Sequence, residues 1–202
     1  MVRILLAGLA GAVTLFVFGM LSWMVLPLHM MATHHAADED IFIAALDAQL
    51  DETGVYFAPN FPEDPNDKAG LDVMIEKHER GPVATVFYRA EGAPVMPPSM
   101  MGLGFLLQFL SASLAALLLS RSAHCLSTFG KRLLFVTLLG VFVTLQSDLQ
   151  MLVWMYSPTD WTIAMVFDMV VGWFFAGLVI AAIVKPRGNL AVEENAKMLR
   201  PV

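Results

Sequence analysis

Two long apolar stretches, Leu133–Met155 and Thr162–Val184, are separated only by the turn Tyr156-Ser-Pro-Thr-Asp-Trp161. Each is long enough to cross a bilayer, which takes about 20 apolar residues. A hairpin of this kind leaves a chain few folds other than a membrane helix pair. Each stretch also carries one carboxylate that hydrocarbon should exclude, Asp148 in the first and Asp168 in the second.

Two further runs extend the pattern. Ile4–Leu26 is preceded only by Met-Val-Arg3 and is followed by Pro27, which ends a helix or sits just past it. It is longer than the apolar core of a secretory signal, about 7–15 residues, so it reads as an uncleaved span. Met101–Leu119 is the other run, entered through the proline-rich linker Gly92–Ser99. Composition agrees: 57% of the 202 residues are hydrophobic and 15% charged, against about 45–50% and about 25% in soluble domains. The single cysteine, Cys125, excludes an intramolecular disulfide framework and any Cys-rich metal site.

Residues 28–99 differ in kind. Thirteen acidic residues face four basic ones there, a net charge of minus nine. Asp38-Glu-Asp40 starts a helix over Asp40–Asp51 with Ile41, Phe42, Ala45, Leu46 and Leu50 on one face. Gly54–Pro59 reads as a strand, Lys68–Arg80 as a helix and Val83–Arg89 as a second strand. The expected fold is therefore an all-α, four-transmembrane-helix bundle with a small α/β extracytoplasmic cap inserted between helices one and two. Its parts are a first span over 1–27, the cap over 28–99, a second span over 100–120 and a basic loop over 121–132. The third span over 133–155, an outer turn over 156–161, the fourth span over 162–185 and a polar tail over 186–202 complete the chain.

Arg3, the 121–132 loop and Lys185/Arg187 hold the basic residues next to the spans. Under the positive-inside rule all lie on one side only with four spans and both termini cytoplasmic. The acidic cap and the outer turn then face outside. No basic patch suggests nucleic acid. The expected surroundings are the lipid bilayer and other membrane proteins, or further copies of this chain.

At about 1.5 Å per residue, Asp148 and Asp168 lie about 10 Å and about 9 Å below the outer ends of their spans. Gln108 falls at a comparable depth, Gln146 and Gln150 flank Asp148, and Ser22 lies slightly shallower. Gly140, Thr144 and Asp148 share one helix face, as do Ala164, Asp168, Gly172 and Ala176. Small residues at this spacing let helices approach closely in lipid. Asp148 and Asp168, supported by Gln108, Gln146 and Gln150, are thus a candidate proton or cation site; the competing reading is polar packing within the bundle. His29, His34 and His35, beside Asp38–Asp40 and several methionines, are the one metal-like constellation, against a reading as interfacial histidines. His124–Cys125 is no credible nucleophile–base pair, and no catalytic motif or cofactor is implied.

Three segments, Phe18–His29, Gly54–Asn60 and Asp168–Ala182, give the chain a resemblance to small uncharacterised four-span membrane proteins of bacteria. That resemblance covers most of the chain. It implies a bacterial inner-membrane location and brings no site with it. The expected role is a non-catalytic accessory or interaction subunit of a membrane complex, with a small proton- or cation-coupled transporter as the alternative.

Overall fold

The computed structural model describes residues 1–186. The tail 187–202, with Arg187 and the helical turn expected near Glu193–Leu199, lies outside the described residues. Four helices are long and apolar enough to cross a membrane, which makes the chain a multi-pass membrane protein. They are α1 (Val2–Met24), α5 (Pro98–Ser122), the pair α6 (Phe129–Gln146) and α7 (Asp148–Trp154), and α8 (Thr159–Ile183). Between α1 and α5 lie α2 (Leu28–Ala32), α3 (Glu39–Asp47), β1 (Gly54–Ala58), α4 (Lys68–Arg80) and β2 (Ala84–Tyr88).

The long helices extend past their apolar runs because local chemistry lets them. Pro98 occupies the first turn of α5, where its missing N–H is no loss. Thr128 caps α6 by accepting from the Lys131 N–H at 3.3 Å. Arg132, expected in the loop, therefore lies inside α6 and is buried. Its guanidinium donates to the carbonyls of Ala181 (3.1 Å), Ser127 (3.0 Å) and Leu126 (3.3 Å). A cation is favoured near the C-terminus of α8, where carbonyls lack helical partners. The third span is also not one helix. It breaks at Ser147, whose hydroxyl donates back to the Val143 carbonyl at 2.9 Å, and Asp148 begins α7.

The packing order is α5–α1–α8–α6, with lighter contact from α5 to α6 and α8. Close approach rests on small residues. Gly8 lies against Ser113, and Gly11 against Ile180 and Ala112. Ala112, Ala115, Ala116, Leu119, Val136, Ala176 and Ile180 form a dense core toward the Arg132 end. Ala164, Gly172 and Ala176, the stripe carrying Asp168, are all buried. Leu5, Leu9, Val13 and Val17 line the opposite, exposed side of α1, as a lipid-facing surface requires.

The 28–99 segment contains the expected small elements. Asp38 accepts from the Ile41 N–H at 3.0 Å to start α3, and Asp67 accepts from the Gly70 N–H at 2.9 Å to start α4. Gly81 stops α4 with φ of 70°, a conformation costly for any residue with a Cβ. β1 and β2 pair antiparallel, with Tyr56 opposite Val86. The apolar face of α3 stays largely open: Ile41, Phe42 and Ala45 are exposed, while Leu46 and Leu50 are half-buried. The unexpected element is α2. Pro27 ends α1, and the chain turns into a short helix that packs on α8.

Candidate functional site

Asp168 sits on the buried stripe of α8, at the level where α1 ends. Ser22, in the last turn of α1, is fully buried and donates a hydrogen bond to Asp168 Oδ1. The return through Pro27 then brings His29 over the same carboxylate. His29 Nε2 lies 3.1 Å from Asp168 Oδ2, with the two side chains only 5% and 18% exposed. This is ion-pair distance, but the ring N–H is not aligned for a hydrogen bond, and His29 Nδ1 is buried without a partner.

Aromatic rings fix the imidazole. Trp23 stacks on His29 with centroids 3.9 Å apart and planes 20° from parallel. Trp161, from the start of α8, meets Trp23 edge-on at 6.0 Å and His29 at 6.4 Å. The result is a clasp that joins α1, α2 and α8 through one carboxylate.

The clasp borders a cavity of about 360 Å³ between the four long helices. Phe18 and Trp23 line it from α1, Gln108 and Ser111 from α5, Val143 from α6, and Asp168 and Trp173 from α8. The cavity exists because the small-residue packing that closes the Arg132 end stops short of it. Gln108 Oε1 is buried with no hydrogen-bond partner.

The sequence-derived residues therefore separate. Gln108 and Asp168 share this cavity. Asp148 does not line it; at the start of α7 its Oδ2 is buried without a partner. Gln146 is exposed, and exposed Gln150 accepts from Trp154 Nε1 at 2.8 Å. The three histidines go to three different carboxylates: His29 to Asp168, His34 to Asp160 at 3.6 Å and His35 to Glu39 at 3.3 Å. Among the described residues, no group of three or more His, Cys, Asp or Glu side chains is gathered to hold a metal. His124 Nδ1 lies 3.1 Å from the Arg121 carbonyl, and Cys125 is exposed. Depth pointed to Ser22, but nothing in hydropathy announced that His29, Trp23 and Trp161 would close over Asp168.

A second, larger cavity of about 680 Å³ opens between the 28–99 segment and the α7–α8 turn. Phe57, Phe61, Met74, Ile75, Trp154 and Tyr156 contribute its apolar walls. Among the described residues slender ties cross it, a Thr85 hydroxyl donating to the Met155 carbonyl at 3.5 Å and His78 against Tyr156 at 5.2 Å. Comparison with known families, curated proteins and solved structures found no match to this chain.

Proposed function

We propose that this chain is a non-catalytic inner-membrane protein of bacteria that acts as an accessory subunit. Its four spans form one bundle with both termini cytoplasmic, and residues 28–99 form the extracytoplasmic cap. This placement extends the basic-loop asymmetry and the resemblance carried by Phe18–His29, Gly54–Asn60 and Asp168–Ala182.

The observation that carries the role is the cleft between cap and hairpin. It is wide and apolar, and it leaves Phe61 72% and Trp154 71% exposed. Open apolar clefts rimmed by polar residues are recognition surfaces. The cap's net charge of minus nine selects the partner's chemistry. That partner is a neighbouring membrane protein whose external segment offers an apolar side chain between basic residues.

A photo-crosslinking amino acid placed at Phe61 or Trp154 in intact cells tests the role. The expected result is one discrete protein adduct from both positions, weakened by raised salt and absent from lipid-facing Leu134. Lipid adducts alone, or equal labelling from Leu134, would overturn it.

The alternative, a small proton- or cation-coupled transporter using Asp148 and Asp168, draws on one observation: the Asp168 carboxylate borders an intramembrane cavity. With four spans and no repeated half, such a transporter would need a second copy of the chain.

A further inference from the structure

We propose that the cavity under the clasp binds a small organic cation, a protonated amine carried on an apolar body. The inference stands apart from the accessory role, which uses a different cavity.

Charge gives the sign of the ligand. Among the described residues, Asp168 is the sole ionisable side chain lining the cavity. In low dielectric a carboxylate favours a cation and repels an anion. Ser22 donates to Oδ1 and its neighbour His29 reaches Oδ2 without completing a hydrogen bond, whereas the two oxygens accept about four hydrogen bonds in all. Capacity for an N–H donor is left over.

The amide gives the head group. Gln108 Oε1 is buried, unpartnered and on the wall contributed by α5, whereas Asp168 is on α8. Buried acceptors without donors are uncommon and call for an occupant. An ammonium carries several N–H bonds, enough to offer a donor to an acceptor on each wall. A quaternary ammonium cannot donate to either.

The walls give the body. Trp23, Trp173 and Phe18 offer aromatic surface, and the negative face of such rings attracts a cation. The cavity, about 360 Å³, is far larger than the roughly 30 Å³ share of one water molecule. It lies within the range of small-molecule sites, about 300–1,000 Å³. A bare metal ion would leave most of it empty and lacks the ligands, since no metal-type cluster occurs among the described residues.

The probe is benzylammonium, titrated into the full-length protein in mild detergent and followed by calorimetry and tryptophan fluorescence. The expected result is saturable binding that falls at least tenfold in Asp168→Asn and in Gln108→Leu and is unchanged in Asp160→Asn. Benzyltrimethylammonium should bind more weakly, and benzoate not at all. Failure of the wild type to bind saturably would overturn the proposal. So would equal binding of neutral benzyl alcohol, which would mean partitioning by the ring alone. If Asp168→Asn does not fold, Gln108→Leu decides: wild-type affinity in that variant sinks the site.

Discussion

Gly140→Ala tests the crossing of α6 and α8 that forms the floor of the small cavity. A Cβ built at Gly140 would lie 2.5 Å from Trp173 Cβ and 2.8 Å from its Cγ. Carbon atoms rest at about 3.5–4.0 Å, so about 1 Å of overlap has to be relieved. Trp173 Cβ belongs to the stem of its side chain, so rotating the ring does not relieve it. The helices must separate, or the indole must leave its place. Overpacking of this kind costs about 1–3 kcal/mol. Alanine recovers about 1 kcal/mol through helix propensity. The net expectation is a loss of up to about 2 kcal/mol, using the same two effects. Gly102 is the reference, because nothing lies within 4 Å of its Cβ position. There alanine should gain up to about 1 kcal/mol. Reversible unfolding in mixed micelles measures both variants, and near-ultraviolet circular dichroism reports Trp173. Opposite signs at the two positions are expected, with a weakened tryptophan signal in Gly140→Ala alone. The same sign and size at both would refute the close crossing.

The clasp predicts coupling: a Ser22→Ala, Asp168→Asn cycle should give an interaction energy of about 0.5–3 kcal/mol in micelle unfolding, and His29→Ala should further cost about 0.5–1.5 kcal/mol for the Trp23 stack. Additive single variants would remove the clasp. Arg132→Ala should destabilise by about 3 kcal/mol or more, since it orphans carbonyls at the α8 end, and Arg132→Lys should restore only part because lysine lacks the planar fork. In the cap, the backbone hydrogen bond that Glu91 itself accepts, and then the Thr53 hydroxyl at 3.0 Å, hold the Glu91 carboxyl below its ordinary value. A depressed carboxyl contributes stability above its unfolded pKa and loses it as pH falls through the folded one. The Ala90 amide, which donates to Thr53 Oγ1 at 3.0 Å, should therefore shift by NMR only on acidification below the usual glutamate range. A shift near neutral pH would contradict that assignment.

How much was legible depended on the length scale of the signal. The four spans and the Ala164–Asp168–Gly172–Ala176 face came straight from hydropathy and four-residue spacing, because in lipid small residues mark the packed side. The first helix of the cap was legible from its Asp38 start, whereas the Asp67 cap of α4 emerged only with the structure. α2 was not. A five-residue helix after a proline carries too few turns for any period to show. Its return is what moves His29 away from His34 and His35 and onto Asp168, so the apparent histidine cluster was an effect of chain proximity. The α3 face is a different case. Helical spacing shows that Ile41 and Phe42 point the same way; it does not show that anything covers them.

The two intramembrane acids looked equivalent in depth, yet their surroundings ask for different chemistry. Asp168 lies mid-helix, held by groups from α1 and α2 and facing a cavity. Asp148 stands in the first turn of α7, where the break at Ser147 frees backbone N–H groups. A carboxylate there gains about 0.3–1 kcal/mol from the helix dipole. The break thus favours an acid at position 148, one of whose oxygens is buried without a partner. Asp148→Asn should then cost no more than about 1 kcal/mol. Asp168→Asn places an amide against buried His29 and should cost about 1–3 kcal/mol through unmatched hydrogen-bonding groups. Micelle unfolding of both variants, with benzylammonium binding measured alongside, separates the roles. If Asp148→Asn is the more damaging substitution, or the one that abolishes binding, then the polar layer works as a joint pair and the division made here between a helix-start acid and a site acid is wrong.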